Sequence, residues 1–186
     1  MKFMMPRLPE GTEHYGALAR FESPKKLFHA CEQMRDAGYS KWDAHTPFPV
    51  HGLDEAMGLR PSKLPWIVLV AGLSGAAGGM LLQWWVSAEA YPLVISGKPF
   101  FSWPAFVPVT FELGVLFGAL GAVFGMFGLN QLPMLYHPLF RSKQFERVND
   151  DGFFISVEAW DPKFDATGTR EALRQFGAVE VELVDH

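Results

Sequence analysis

LPWIVLVAGLSGAAGGMLLQWWVSA (residues 64–88) and AFVPVTFELGVLFGALGAVFGMFGLNQL (residues 105–132) decide the architecture of this 186-residue chain. The first stretch contains no Asp, Glu, Lys or Arg, and the second contains only Glu112. About 20 apolar residues in a helix cross a hydrocarbon core of about 30 Å, so each stretch is long enough to span a bilayer. Trp66 stands at one end of the first stretch and Trp84 and Trp85 at the other, while Trp103 and Tyr136 flank the second. Amphipathic rings of this kind collect at headgroup level. Two such stretches leave a chain of this size too little polar surface to bury both in a soluble core. The reading is a two-helix transmembrane hairpin over residues 64–136, with spans at about 64–88 and 105–132.

The charges lie almost entirely outside the hairpin. Arg60 and Lys63 precede the first span, Arg141, Lys143 and Arg147 follow the second, and only Lys98 lies between them. The positive-inside rule then predicts that both termini are cytoplasmic and that the connecting segment faces outward. A net charge of -4 supplies no basic field for nucleic acid, which is excluded as a partner. Cys31 is the single cysteine, so an intrachain disulfide, a cysteine-rich metal knuckle, an iron–sulfur cluster and a c-type haem attachment are ruled out in this chain. The N-terminal residues carry no apolar run suited to a secretory signal, so insertion is expected to rely on the internal spans.

Glycines in the spans recur at steps of three and four: Gly72, Gly75 and Gly79 in the first, and Gly114, Gly118, Gly121, Gly125 and Gly128 in the second. Such steps place each set on one helix face, where missing side chains permit close backbone approach. These eight glycines are the expected helix-packing residues.

The flanking sequence reads as two βαβ units. Residues 15–21 alternate as a strand, Ser23 and Pro24 supply an N-cap and first-turn proline for a helix through Leu27, Cys31 and Met34, Gly38 ends it, and residues 39–45 form a second strand. After the hairpin, residues 153–160 read as a strand, Thr169 as the cap of a helix through Leu173 and Phe176, Gly177 as its stop, and residues 179–184 as a last strand. Neither half buries a sheet alone. The expectation is an α+β membrane protein: a ferredoxin-like (split βαβ) cytoplasmic domain interrupted by the hairpin. Its parts are an N-terminal tail (1–14), a first half with a juxtamembrane segment (15–63), the hairpin (64–136) and a second half (137–186).

Two polar side chains stand out. Glu112 is the one ionisable group within a span, where a charge costs about 2.5 to 3.5 kcal/mol even on the mildest scale. It is read as an intramembrane polar contact, a structural hydrogen bond to a neighbouring helix, with a proton relay as the rival role. His137, in LYHPLF after the second span, is read as a contact for a lipid or quinone head or as an interfacial anchor. His45, His51, Asp43, Asp54 and Glu55 can be assembled on paper into a metal site, but the helical ligand spacing of zinc enzymes is absent, and no metal is assigned. No nucleophile–base pairing, phosphate loop or dinucleotide fingerprint is present, so no catalytic or cofactor-binding residue is assigned.

FESPKKL, DAHTPFPVHGLDEAMGL, SKLPWIVL, SWPAFVPVTFELGVLFGALGAVFGM and LPMLYHPLF occur in this order along nearly the whole chain. Together they resemble the two-transmembrane-helix subunit, lettered D, of bacterial alternative complex III. The resemblance implies membership of a quinol-oxidising electron-transfer complex, of the respiratory chain or of photosynthesis, in the bacterial cytoplasmic membrane. It also implies that c-type haem and iron–sulfur clusters belong to partner subunits and quinol oxidation to the large polytopic ones. The chain is then expected to be a non-catalytic subunit of an oxidoreductase complex, stabilising assembly beside a polytopic membrane subunit, in contact with lipid. Two other classes compete with this reading: a membrane-tethered ligand-sensing module, and a small proton-conducting element built on Glu112.

Overall fold

The structure is a computed structural model describing residues 14–185; the expected N-terminal tail lies, up to residue 13, outside the described residues. The chain forms two compact units, one built from residues up to Arg60 together with those from Met134 onward, the other from Pro61–Pro133.

The first unit contains four strands, β1 (His14–Phe21), β2 (Trp42–His45), β3 (Phe153–Glu158) and β4 (Glu180–Asp185), and helices α1 (Pro24–Asp36), α2 (Leu53–Met57) and α5 (Ala166–Gln175). The strands form one sheet in the order β2-β3-β1-β4, antiparallel throughout. Strand β3, encoded after the hairpin, lies between the two strands encoded before it. Gly16 opposes Glu158 and Phe21 opposes Phe153, while Trp42 opposes Val157 and His45 opposes Phe154.

Local chemistry sets the helices. Ser23 is extended and its Oγ accepts the Lys26 N–H at 3.3 Å, with Pro24 in the first turn. Leu27, Ala30, Cys31 and Met34 then fall on one face and are all buried. Gly38 ends the segment at φ +79, in the left-handed region that glycine enters without steric penalty. In α5 the cap is Asp165 rather than the expected Thr169. The Asp165 carboxylate accepts the Gly168 N–H, and the Thr169 hydroxyl accepts the Asp165 N–H in return. The exchange is reciprocal as in a capping box, but the returning side chain is the buried Thr169, one residue beyond the usual position.

The two faces of the sheet are covered differently. Ala17, Ala19, Phe21, Ile155, Val157 and Val181 point towards α1 and α5 and meet Leu27, Cys31, Met34 and Leu173. The opposite face carries Leu18, Phe154 and Val184, covered by Leu139 and Phe145 from two short 3-10 turns, Pro138–Arg141 and Gln144–Asn149. Each fully buried apolar side chain of this size contributes about 1.5 to 3 kcal/mol. Asp161 knits the halves together: its carboxylate accepts the Ser40 N–H at 2.5 Å, the Lys41 N–H at 2.7 Å and the Lys163 N–H at 2.8 Å. Burial alone would push its pKa up, and these bonds overcome that and hold it below the usual carboxylate range.

One irregularity in β1 sets the position of Tyr15. Strict alternation would put Tyr15 on the helix-covered face with Ala17, yet its ring joins Leu18 on the opposite face. The register with β4 shifts between His14 and Gly16, an added residue that turns the side chain over. Glycine is required there, because a β-carbon on Gly16 would fall onto the Val157 carbonyl oxygen and within 3.2 Å of Glu158 Cα.

The second unit is a helical pair. Helix α3 (Leu64–Trp85) runs on through a π-helical turn to Ala90, and α4 extends over Trp103–Leu129. The second helix starts two residues before the expected position, since Pro104 fits its first turn, and continues through Pro108. It ends three residues earlier than expected, where Gln131 turns the chain out at φ 54. Only 11% and 6% of the most apolar windows of the two helical runs are buried, whereas a helix in a soluble core is mostly buried. Phe111 and Phe124 are 70% and 67% exposed, and an apolar surface of this kind matches hydrocarbon.

Candidate functional site

Seven of the eight expected packing glycines, all but Gly128, lie along the contact between α3 and α4. A β-carbon on Gly75 would meet the Leu113 carbonyl oxygen and lie 2.7 Å from Phe117 Cβ; on Gly121 it would lie 2.7 Å from Ala71 Cβ; on Gly125, 2.8 Å from Leu64 Cδ1; on Gly79, 3.0 Å from Leu113 Cδ1. Gly72, Gly114 and Gly118 make looser approaches, at 3.4 Å to 3.9 Å, and Gly128 faces open space. Hydrophobicity does not drive association inside lipid, so backbone approach of this kind is what holds such a pair.

A polar clamp that the glycine pattern does not reveal adds to it. Gln83 Nε2 donates to the Gly79 carbonyl at 3.0 Å, to the Phe106 carbonyl at 3.1 Å and to Thr110 Oγ1 at 3.3 Å. A side-chain amide that finds acceptors on both helices fixes their register as well as their distance. Glu112 is two residues beyond Thr110, and its side chain is exposed.

The second grouping sits on the turn-covered face of the sheet. His137 caps the Pro138–Arg141 turn: its Nδ1 accepts the Leu139 N–H at 3.3 Å. In the neutral ring the proton is then on Nε2, which donates to Tyr15 Oη at 3.2 Å. The Tyr15 hydroxyl in turn faces Glu158; burial first, then the charge and hydrogen bond of Glu158, push the phenol well above its ordinary value. The Tyr15 and His137 rings meet edge to face at 5.3 Å, and Trp160 meets Tyr15 in the same manner at 5.6 Å.

His45 is the neighbouring member. Its Nε2 lies 2.9 Å from Ser156 Oγ and its ring packs edge to face on Phe145 at 5.2 Å. Burial lowers the pKa of both histidines; Asp43 pulls His45 upward and His137 pushes it down, while Glu158 and Asp43 pull His137 upward. The resulting chain of donors and acceptors is suited to holding β1, β2, β3 and the turn in place. Ser156, the hydroxyl beside His45, is itself buried.

The other singled-out residues lie apart from this cluster. His51, Asp54 and Glu55 sit on or beside α2, whose ends are Gly52 at φ +77 and Gly58 at φ +71. Arg35 Nη1 donates to the Glu55 and Ala56 carbonyls, tying α2 to α1. Among the described residues no three His, Cys, Asp or Glu side chains are grouped to hold a metal ion. Cys31 is buried, which pushes its thiol up to about 12, with the charges of Asp43 and Glu32 adding to the effect.

The geometry is that of an apolar helix pair with a close-packed small-residue contact, together with a divided α+β unit locked by polar bonds between its halves. No curated protein matches the chain. The family model described as alternative complex III, ActD subunit, matches residues 15–183, from the second residue of β1 through most of β4. Since that match takes in the sheet, the hairpin and the turns between them, the chain belongs to the ActD family, a subunit family of the respiratory oxidoreductase assembly called alternative complex III.

Proposed function

We propose that this chain is a non-catalytic membrane subunit of alternative complex III that stabilises the assembly beside a polytopic membrane subunit, with its α+β unit and both termini on the cytoplasmic side. The family match over residues 15–183 carries the reading. Two helices of 27 residues each, long and apolar enough to cross a membrane, support it. The excess of Lys and Arg at the outer ends of the spans, against Lys98 alone between them, supports the orientation. The strand order β2-β3-β1-β4 supports a split βαβ arrangement for the unit outside the membrane.

In this role the chain's own residues pack and position. Haem c, iron–sulfur clusters and the quinol site belong to partner subunits, and the buried polar groups of this chain bond to one another. Gentle detergent purification through a tag on this chain tests the reading. The expected result is co-purification with c-type haem, seen by its absorption spectrum, and with polytopic subunits, seen by mass spectrometry. A colourless chain purified alone overturns it.

A further inference from the structure

Glu112 lies nine residues inside α4 from Trp103, about 14 Å along the axis at 1.5 Å per residue, and about 26 Å from Leu129. A carboxyl at that depth has no bulk water to bond, and leaving it unpaired in hydrocarbon is costly. The hairpin offers it nothing. Among the described residues Glu112 makes no hydrogen bond or ion pair, and its side chain is exposed. The amide and hydroxyl of α3 are engaged elsewhere, Gln83 on Gly79, Phe106 and Thr110, and Ser74 on the Ala71 carbonyl.

Helix geometry shows where the carboxyl points. At about 100° per residue, Glu112 stands about 200° round from Thr110 and about 180° round from Gly121. Thr110 and Gly121 both meet α3, so Glu112 faces away from it. Ala105 and Ala119, both exposed, lie seven residues before and after it on the same stripe, and small side chains there let another helix come close.

We propose that this outward face of α4 is the docking seam for a transmembrane helix of a polytopic partner, and that the partner helix presents a hydrogen-bond donor to the Glu112 carboxyl. The proposal rests on the reading of the chain as a complex subunit. Polarity and the family match select the occupant: a lipid tail has no donor at this depth, a second copy of the hairpin would bond the carboxyl only with a proton held on it, and the assembly to which the family belongs supplies other subunits. A helix bearing Arg, Lys, His, Tyr or a side-chain hydroxyl or amide meets the requirement.

The test uses the intact complex, purified through a tag on a different subunit, with this chain as wild type, Glu112→Leu or Glu112→Gln, and with Val70→Leu as a control on the exposed side of α3. Glu112→Leu should lower the share of chain retained by about tenfold, the loss expected from one interhelical hydrogen bond. Glu112→Gln, whose amide still donates and accepts, should restore most of it, and Val70→Leu should behave as wild type. A photo-crosslinking residue at Ala119 should give an adduct that mass spectrometry maps to a transmembrane segment carrying a donor within one helical turn. Equal retention of wild type, Glu112→Leu and Glu112→Gln overturns the seam while leaving the chain a subunit, as does an Ala119 adduct with lipid alone. If the tagged complex never carries this chain, the broader reading falls as well.

Discussion

His137 Nε2 donates to Tyr15 Oη at 3.2 Å, closing a hydrogen bond across 122 residues of sequence. The bond joins the strand that opens the α+β unit to the turn by which the chain re-enters it, so each half of the unit holds the other. Tyr15→Phe removes the hydroxyl that links His137 to Glu158 and should lower the unfolding free energy by about 1 to 3 kcal/mol, because partly buried partners lose their bonds. Chemical denaturation of the full chain in detergent, followed by tryptophan fluorescence, measures it. An unchanged midpoint would show that the bond contributes nothing.

The two histidines impose a pH dependence. Burial holds His45 and His137 below their ordinary value of 6.5, so in the interval beneath 6.5 the unfolded chain binds more protons than the folded one. Their contribution is therefore undiminished above that value and falls as pH drops towards the folded values. Thermal unfolding between about pH 7.5 and about pH 5 should show a falling midpoint, and the double variant His45→Gln, His137→Gln should show a shallower fall. Identical slopes for the two proteins would remove the histidines from the account.

The β1 irregularity makes its own demand on sequence. Gly16→Ala places a β-carbon on the Val157 carbonyl oxygen, a backbone atom held by the sheet that cannot rotate away. The variant should lose about 1 to 3 kcal/mol, as other overpacked sites do, and Tyr15 should leave its place against His137. Denaturation reports the first effect, and the tyrosine ring signals in NMR report the second.

Within the hairpin the glycines should not be equivalent. Gly75→Ala and Gly121→Ala force a β-carbon to within 2.7 Å of Phe117 Cβ and Ala71 Cβ respectively, whereas Gly78→Ala and Gly128→Ala enter open space. The first pair should loosen α3 from α4 and raise protease sensitivity in detergent, while the second pair should match wild type or gain slightly in helix propensity. Four equal digestion rates would mean that close backbone approach is not what holds the pair.

The orientation can be read with thiol probes. Cys31 is buried, with its thiol pushed up to about 12, so the native chain should give little background. Ser96→Cys, in the segment between the spans, should react with an impermeant maleimide in intact cells, and exposed Lys143→Cys only after permeabilisation. The opposite pattern would invert the proposed topology.

The spans are legible because lipid imposes a one-dimensional rule: a run without charge, of the right length, with aromatic ends. The helix around Leu27, Cys31 and Met34 is legible for a similar reason, since capping and periodicity are local. The placements that sequence missed depend on contacts between distant segments. Tyr15 turns over because an extra residue enters the β1–β4 register; Gly16, an isolated glycine in a strand, marks the place, but the face that Tyr15 takes depends on the partner strands. Leu139 and Phe145 cover a sheet face from 3-10 turns too short to show a period. Thr169 has a capping residue's chemistry, but Asp165, four residues earlier, takes the cap and leaves Thr169 to return the bond. His137 stands in a motif that reads as interfacial, and its ring bonds are set by Tyr15 and the Leu139 backbone.

The position of β3 between β1 and β2 also sets an order of events during synthesis. When the ribosome has delivered β1 and β2, those strands are not neighbours and lack the strand that separates and pairs them. Their partner follows more than 100 residues after the end of β2, once both apolar helices have emerged. Until then α1 covers a sheet that does not exist, and its apolar face stays open to chaperones and proteases. A chain that stops within the hairpin thus lacks the strand that joins β1 to β2, so completion of the sheet reports that both apolar helices have been made.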